Sequence, residues 1–195
     1  MGFHLKIKSN YEPISEGPHV AVCDKVIDLG EQVGSAEYGS KISHQTYIGW
    51  TVTDDGDPKT IHKIYNISTD KKSSLRKDME AWLGKTYNEG DDFDSDEILG
   101  KGCQLNIVHA TTDDGKIVAR IKGVMGLPKG MKVDKPAELF DFDLNENTWA
   151  ALDSRIPEWV QKIIMKGITY KELSQPRTAE DVFGPADEGD GEFPL

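Results

Sequence analysis

Residues 70–87 read DKKSSLRKDMEAWLGKTY, and this stretch decides the fold because it breaks the pattern around it. Leu75, Met79, Trp82 and Leu83 stand at i, i+4, i+7 and i+8, the spacing that lines apolar groups along one face of a helix. Ser73 or Ser74 is suited to cap the first turn, and Gly84 to end the helix. On both sides the chain instead alternates apolar and polar residues, which is the period of a strand. A single helix set among strands implies that it covers something the strands enclose.

Working outward, HVAVCDKVIDLG (19–30) reads as a strand with Val20, Val22 and Val26 in phase, and EQVGSAEYGSK (31–41) as a Gly/Ser-rich loop. ISHQTYIGWTV (42–52) places Ile42, Ile48, Trp50 and Val52 on one face, with Gln45, Tyr47 and Thr51 on the other. The turn TDDGDP leads into KTIHKIYNIS (59–68), so the two strands are predicted to form an antiparallel hairpin. Beyond the acidic loop NEGDDFDSDEILG, the segments KGCQLNIVHAT (101–111) and KIVARIKGVMGLP (116–128) flank TDDG as a second hairpin.

Three strands, a helix and two strands is the order of the OB-fold, a five-stranded Greek-key barrel with one helix between strands 3 and 4. The expectation is a mostly β fold, with an OB barrel over residues 1–135. Residues 136–175 are expected to form a helical extension packing on the barrel, with a turn within 141–167 and then a helix from Pro157 capped at Gly167. The last twenty residues, 176–195, are rich in acids, Pro and Gly and are expected to be a disordered acidic tail. An unrelated α+β sheet would share the same order of elements.

A chain of 195 residues can bury a core without a disulfide or metal staple. Cys23 and Cys103 lie in apolar alternating runs, which predicts buried free thiols and a reducing compartment. No run has the length and apolarity of a signal peptide or a membrane span, so the expected protein is soluble and intracellular.

The net charge of −11 argues against a nucleic-acid partner only until its distribution is read. Residues 176–195 hold six acids against Arg177. Residues 59–85 hold seven bases against three acids, and residues 101–135 again hold seven against three. Basic middle segments and an acidic end leave room for an anionic partner.

Chemistry-bearing motifs are sparse. DDFDSDE (91–97) and DFDLNEN (141–147) begin like EF-hand loops, but counting from Asp92 or Asp141 the sixth residue is Glu97 or Glu146, not Gly. The twelfth is Cys103 or Leu152, where a bidentate acid is needed. The five histidines are scattered, there is no CxxC, and GLPKG (126–130) lacks the spacing of a phosphate loop. The expectation is a protein that is not an enzyme and uses no metal or cofactor. A metal-dependent nuclease using Asp92, Asp94 and Asp96 is the weaker alternative.

Binding single strands without sequence preference needs cations for phosphates and aromatic faces for bases. The candidates are Tyr47, Trp50 and Tyr65, interleaved with Lys41, Lys59, His62 and Lys63, then Arg76 and Lys77 on the helix, and Lys116, Arg120 and Lys122 on the last strand. Arg120 and Lys122, two apart, share a side of that strand. Trp50 is in phase with Ile48 and Val52 and so also fits the core, while Tyr47 on the opposite face is the better stacking candidate. A protein-interaction module on an OB-like barrel, with no DNA binding, is the alternative from another class.

SSLRKDMEAWLGK, the acidic loop, EILGKGCQLNIVH and GLPKGM together resemble the single-stranded DNA-binding proteins of tailed bacteriophages, over about residues 15–135. The resemblance implies an OB-fold and a role in protecting single-stranded DNA during phage replication or recombination, in the cytoplasm of an infected bacterium. EDVFGPADEGDGEFPL (180–195) is similar to the acidic tails through which such proteins recruit replication or recombination partners and compete with DNA for the basic groove. Here the end is EFPL in place of a more acidic, phenylalanine-terminated form.

Overall fold

The first strand, β1 (Gly17–Val33), is buried along most of its length because other elements cover both of its faces. A computed structural model describes it together with the rest of residues 12–34, 40–54, 56–88, 90–134, 136 and 138–175. The elements that follow are β2 (Ile42–Asp54), β3 (Asp57–Asn66), α1 (Ser74–Leu83), β4 (Gly102–Thr111), β5 (Ile117–Met125), β6 (Phe140–Phe142), α2 (Glu158–Lys166) and α3 (Ile168–Ser174). The described fold is mostly β, with a six-stranded sheet and three helices.

Both expected hairpins form. β2 pairs antiparallel with β3 in the register Trp50↔Ile61, and β4 pairs antiparallel with β5 in the register Ile107↔Ile121. β1 joins them, pairing antiparallel with β2 on one side and β4 on the other, so the strand order is β3-β2-β1-β4-β5. The terminal strands β3 and β5 are not hydrogen-bonded to each other, so the sheet is not closed into a barrel. The expected count of five strands is also exceeded. The extension expected to be helical contributes β6, which lies parallel to β1 through Val26↔Asp141.

The phase of β1 differs from the expected one. Ala21, Cys23 and Val26 enter the main core, whereas Val20 and Val22 alternate with them. A register shift between Cys23 and Lys25 makes Asp24 an extra residue, and a bulge of this kind resets the two-residue period. Val20, Val22 and Val26 therefore cannot share a face.

α1 forms where the apolar stripe places it. Leu75, Met79 and Trp82 are buried in the main core, the Trp82 ring lies 6.1 Å from that of Trp50, and the Trp82 indole donates to Gly102 O at 2.9 Å. Gly84 ends the helix in the left-handed region at φ 66°, a conformation that only glycine adopts at little cost, and its N–H donates to Glu80 O. Ser73 occupies the N-cap position, but its side chain makes no capping hydrogen bond; its carbonyl accepts from Lys77 N.

A second apolar layer covers the other face of β1 and β2. Ile27, Leu29 and Tyr47 pack there with Phe140, Phe142, Ile156, Val160 and Ile164. The helix expected from Pro157 to Gly167 is α2, and α3, which was not expected, follows it directly from Gly167. Cys23 and Cys103 are free and fully buried, and burial pushes both thiols far above their usual range. Among the described residues no helix is long and apolar enough to cross a membrane. Residues 1–11 and the expected acidic tail (176–195) lie outside the described residues.

Candidate nucleic-acid interface

Strand alternation decides which candidates face solvent. On β3, Ile61 and Tyr65 point into the main core, so Lys59 and Lys63 leave the strand on that same side. His62 and Ile64 point the other way. Lys59 consequently pairs with Asp54 at 2.9 Å, and Lys63 reaches Asp78 of α1 at 2.7 Å with its ammonium 4.6 Å from the Tyr65 ring. Asp54 also accepts from the Ser15 hydroxyl at 2.7 Å; these hydrogen bonds, Lys59 first, hold its carboxyl at about 2.

The three aromatic candidates are all buried, and the expected stacking faces are not available. Trp50 is 0 %, Tyr65 1 % and Tyr47 2 % exposed. Trp50 follows its phase with Ile48 and Val52. Tyr65 donates to Asp78 Oδ2 at 2.8 Å, and burial, then Asp78, pushes its phenol far above the ordinary value. Tyr47 does lie on the outward face, as its phase requires, but α2 covers it. Its ring stacks on His62 (centroids 5.0 Å apart, 17° between planes) and sits 6.0 Å from the Trp159 ring. Burial, then Asp24, raises its phenol to about 12.

The cations of α1 and the last hairpin divide in the same way. Arg76 is spent on structure: it donates to Glu80 at 3.0 Å, to Thr69 O at 2.7 Å and to Tyr87 O. Lys116 pairs with Asp114 at 2.5 Å in the exposed β4–β5 turn. Lys77, Arg120 and Lys122 are exposed and, among the described residues, have no ion-pair partner. Arg120 and Lys122 flank the buried Ile121, which confirms that both leave β5 on its outward side.

Arg120 lies near the outward face of β3. The charge of Arg120 acts on His62, and burial first, then Arg120, lowers the His62 pKa. His62 in turn lies 4.8 Å from the Trp159 ring. Gly49, opposite His62 in the register, makes room for this arrangement: a Cβ there would stand 3.0 Å from Tyr47 Cε1. The outward face thus presents Arg120, His62 and the partly exposed indole of Trp159. Trp159 escaped the sequence reading because nothing in the strand pattern ties a residue so far along the chain to β3.

The acidic stretches dismissed as calcium loops approach each other in space. Asp141 is raised by burial and then by Asp96, Asp143 and Asp94, while the Asp94 side chain accepts from Asp96 N at 2.9 Å. Among the described residues no group of three or more His, Cys, Asp or Glu side chains is arranged to hold a metal ion.

Compared with known proteins, the chain matches no family model, no curated protein and no solved structure.

Proposed function

We propose that this chain is a sequence-tolerant single-stranded DNA-binding protein built on an open relative of the OB-fold. The strand order supports the fold assignment: β1 pairs with both β2 and β4, and a helix between β3 and β4 seats its apolar stripe in the core. The observation that carries the function is Arg120 with Lys122, two exposed cations on the outward side of β5 that have no ion-pair partner among the described residues. Such cations neutralise phosphates and read no sequence. The resemblance of residues 15–135 to phage single-strand binders points the same way, and with it a role in phage replication or recombination.

The test is a fluorescence titration of the full chain with oligo-dT at two salt concentrations. Affinity should fall steeply as salt rises, because phosphate contacts release counterions. Absence of binding at low salt would sink the proposal.

A protein-interaction module is the second reading, and one feature favours it. A cleft of about 780 Å³ beside α1 is lined by Ile67, Leu75, Met79, Tyr87 and Phe93, among others. Binding of an apolar peptide there, with no salt-dependent DNA binding, is the outcome that would select this reading.

A further inference from the structure

The exposed indole of Trp159 is the largest aromatic surface left on the face that carries Arg120. It is 42 % exposed, yet it is held in place, 4.8 Å from His62 and 6.0 Å from Tyr47 by ring centroids. A ring fixed on two sides loses little freedom when a ligand stacks on it, which lowers the cost of binding.

The helix that bears Trp159 extends the same surface with positive charge. At 100° per residue, Trp159, Lys162 and Lys166 fall within about 60° of one another on α2. Val160 and Ile164 occupy the buried side. Lys162 and Lys166 are exposed and, among the described residues, carry no ion pair. They continue for about 10 Å along the helix axis beyond the indole. Glu158 stands at the edge of this face as its one adjoining carboxylate on α2. Trp159 thus has His62 beside it across the strand and Lys162 and Lys166 on its own side of α2.

We infer that Trp159 is the base-stacking residue of this protein, with Lys162 and Lys166 carrying the phosphates of the strand that leaves it. The ligand is one unstacked nucleobase of single-stranded DNA with its flanking phosphates. Aromatic stacking accepts any base, and the cations contact only the backbone. The inference rests on the single-strand-binding reading above, and it moves the contact surface from α1 and the core-facing side of β3 to the outward face of β3 and α2.

The experiment is oligo-dT titration of the full chain and of Trp159→Phe, Trp159→Ala and a Lys162→Gln/Lys166→Gln double variant, with circular dichroism to confirm folding. The wild type should bind with quenching of tryptophan fluorescence, because Trp50 and Trp82 are buried, Trp149 is half-buried against Tyr170, and Trp159 is open to the base; Trp159→Phe separates its share of the quench from that of Trp149. Trp159→Phe should keep most of the affinity while losing that quench. Trp159→Ala should weaken binding by about ten-fold or more. The lysine double variant should reduce the slope of log affinity against log salt by about 1.4. If the wild type binds but the quench survives Trp159→Phe and the salt slope survives the double variant, the inference fails and the single-strand reading stands. A wild type that binds no oligonucleotide at low salt overturns both.

Discussion

The phenol of Tyr65 donates to Asp78 Oδ2 at 2.8 Å, and the same oxygen accepts from Lys63 Nζ at 2.7 Å. Two residues whose types suggest a stacking ring and a phosphate contact therefore tie β3 to α1. Tyr65→Phe removes one donor and leaves the carboxylate with its lysine. Stability should fall by about 1.5–3 kcal/mol, the usual worth of a hydrogen bond to a charged group, read from the urea midpoint. Oligonucleotide affinity should not change; a selective loss of affinity would return Tyr65 to the binding surface.

Buried phenols also predict an alkaline weakness. Tyr47 ionises at about 12 in the folded chain and Tyr65 higher still, against 10.0 when free. The unfolded chain releases these protons first, so the stability they contribute is complete below pH 10 and is lost as pH rises through 12. Urea midpoints at pH 9 and 11 should differ, and Tyr47→Phe should narrow the gap.

His62 gives the opposite sign at acid pH. Its folded pKa lies below the ordinary 6.5 because the neighbouring rings partly desolvate it and the charge of Arg120 opposes its protonation. The unfolded chain takes up the proton first, so stability present above pH 6.5 declines as the solution is acidified through the folded value. Midpoints at pH 7.5 and 5.5 report the loss, and His62→Gln should reduce it.

Met79 tests how α1 holds the fold. It is 1 % exposed between Trp82 and the sheet, so Met79→Ala should cost about 2–5 kcal/mol, through lost burial and the cavity left behind. Lys77→Gln, on the exposed side of the same helix, should stay within about 0.5 kcal/mol. Equal effects in thermal melts would contradict the burial pattern.

Arg120→Gln and Lys122→Gln test the proposed function directly. Each should lower the slope of log affinity against log salt by about 0.7, the amount expected for one phosphate contact on a single strand. Lys63→Gln, whose ammonium is held by Asp78, should leave the slope unchanged and reduce stability instead.

The two hairpins, α1 and the helix from Pro157 were legible because each depends on local period and turn chemistry. Leu75, Met79 and Trp82 declare a buried helix face whatever they pack against, and Arg120 and Lys122 flank an apolar residue that must turn inward. The free, buried state of Cys23 and Cys103 was legible for the same reason. What the linear pattern could not show was which face another part of the chain would cover. Tyr47 sits on the polar face of β2 by sequence, yet α2, more than a hundred residues later, buries it. Lys63 and Tyr65 turn to Asp78 because α1 lies over that side of β3. The Asp24 bulge shifted the phase of β1, and β6 paired with β1 from a stretch too short to carry a period of its own. The sequence by itself determined the two hairpins, α1, α2 and the core-facing side of α1; tertiary packing added β6 and α3, reset the phase of β1 and decided which remaining cations and rings stay open to a ligand, because exposure depends on contacts between segments distant in the chain.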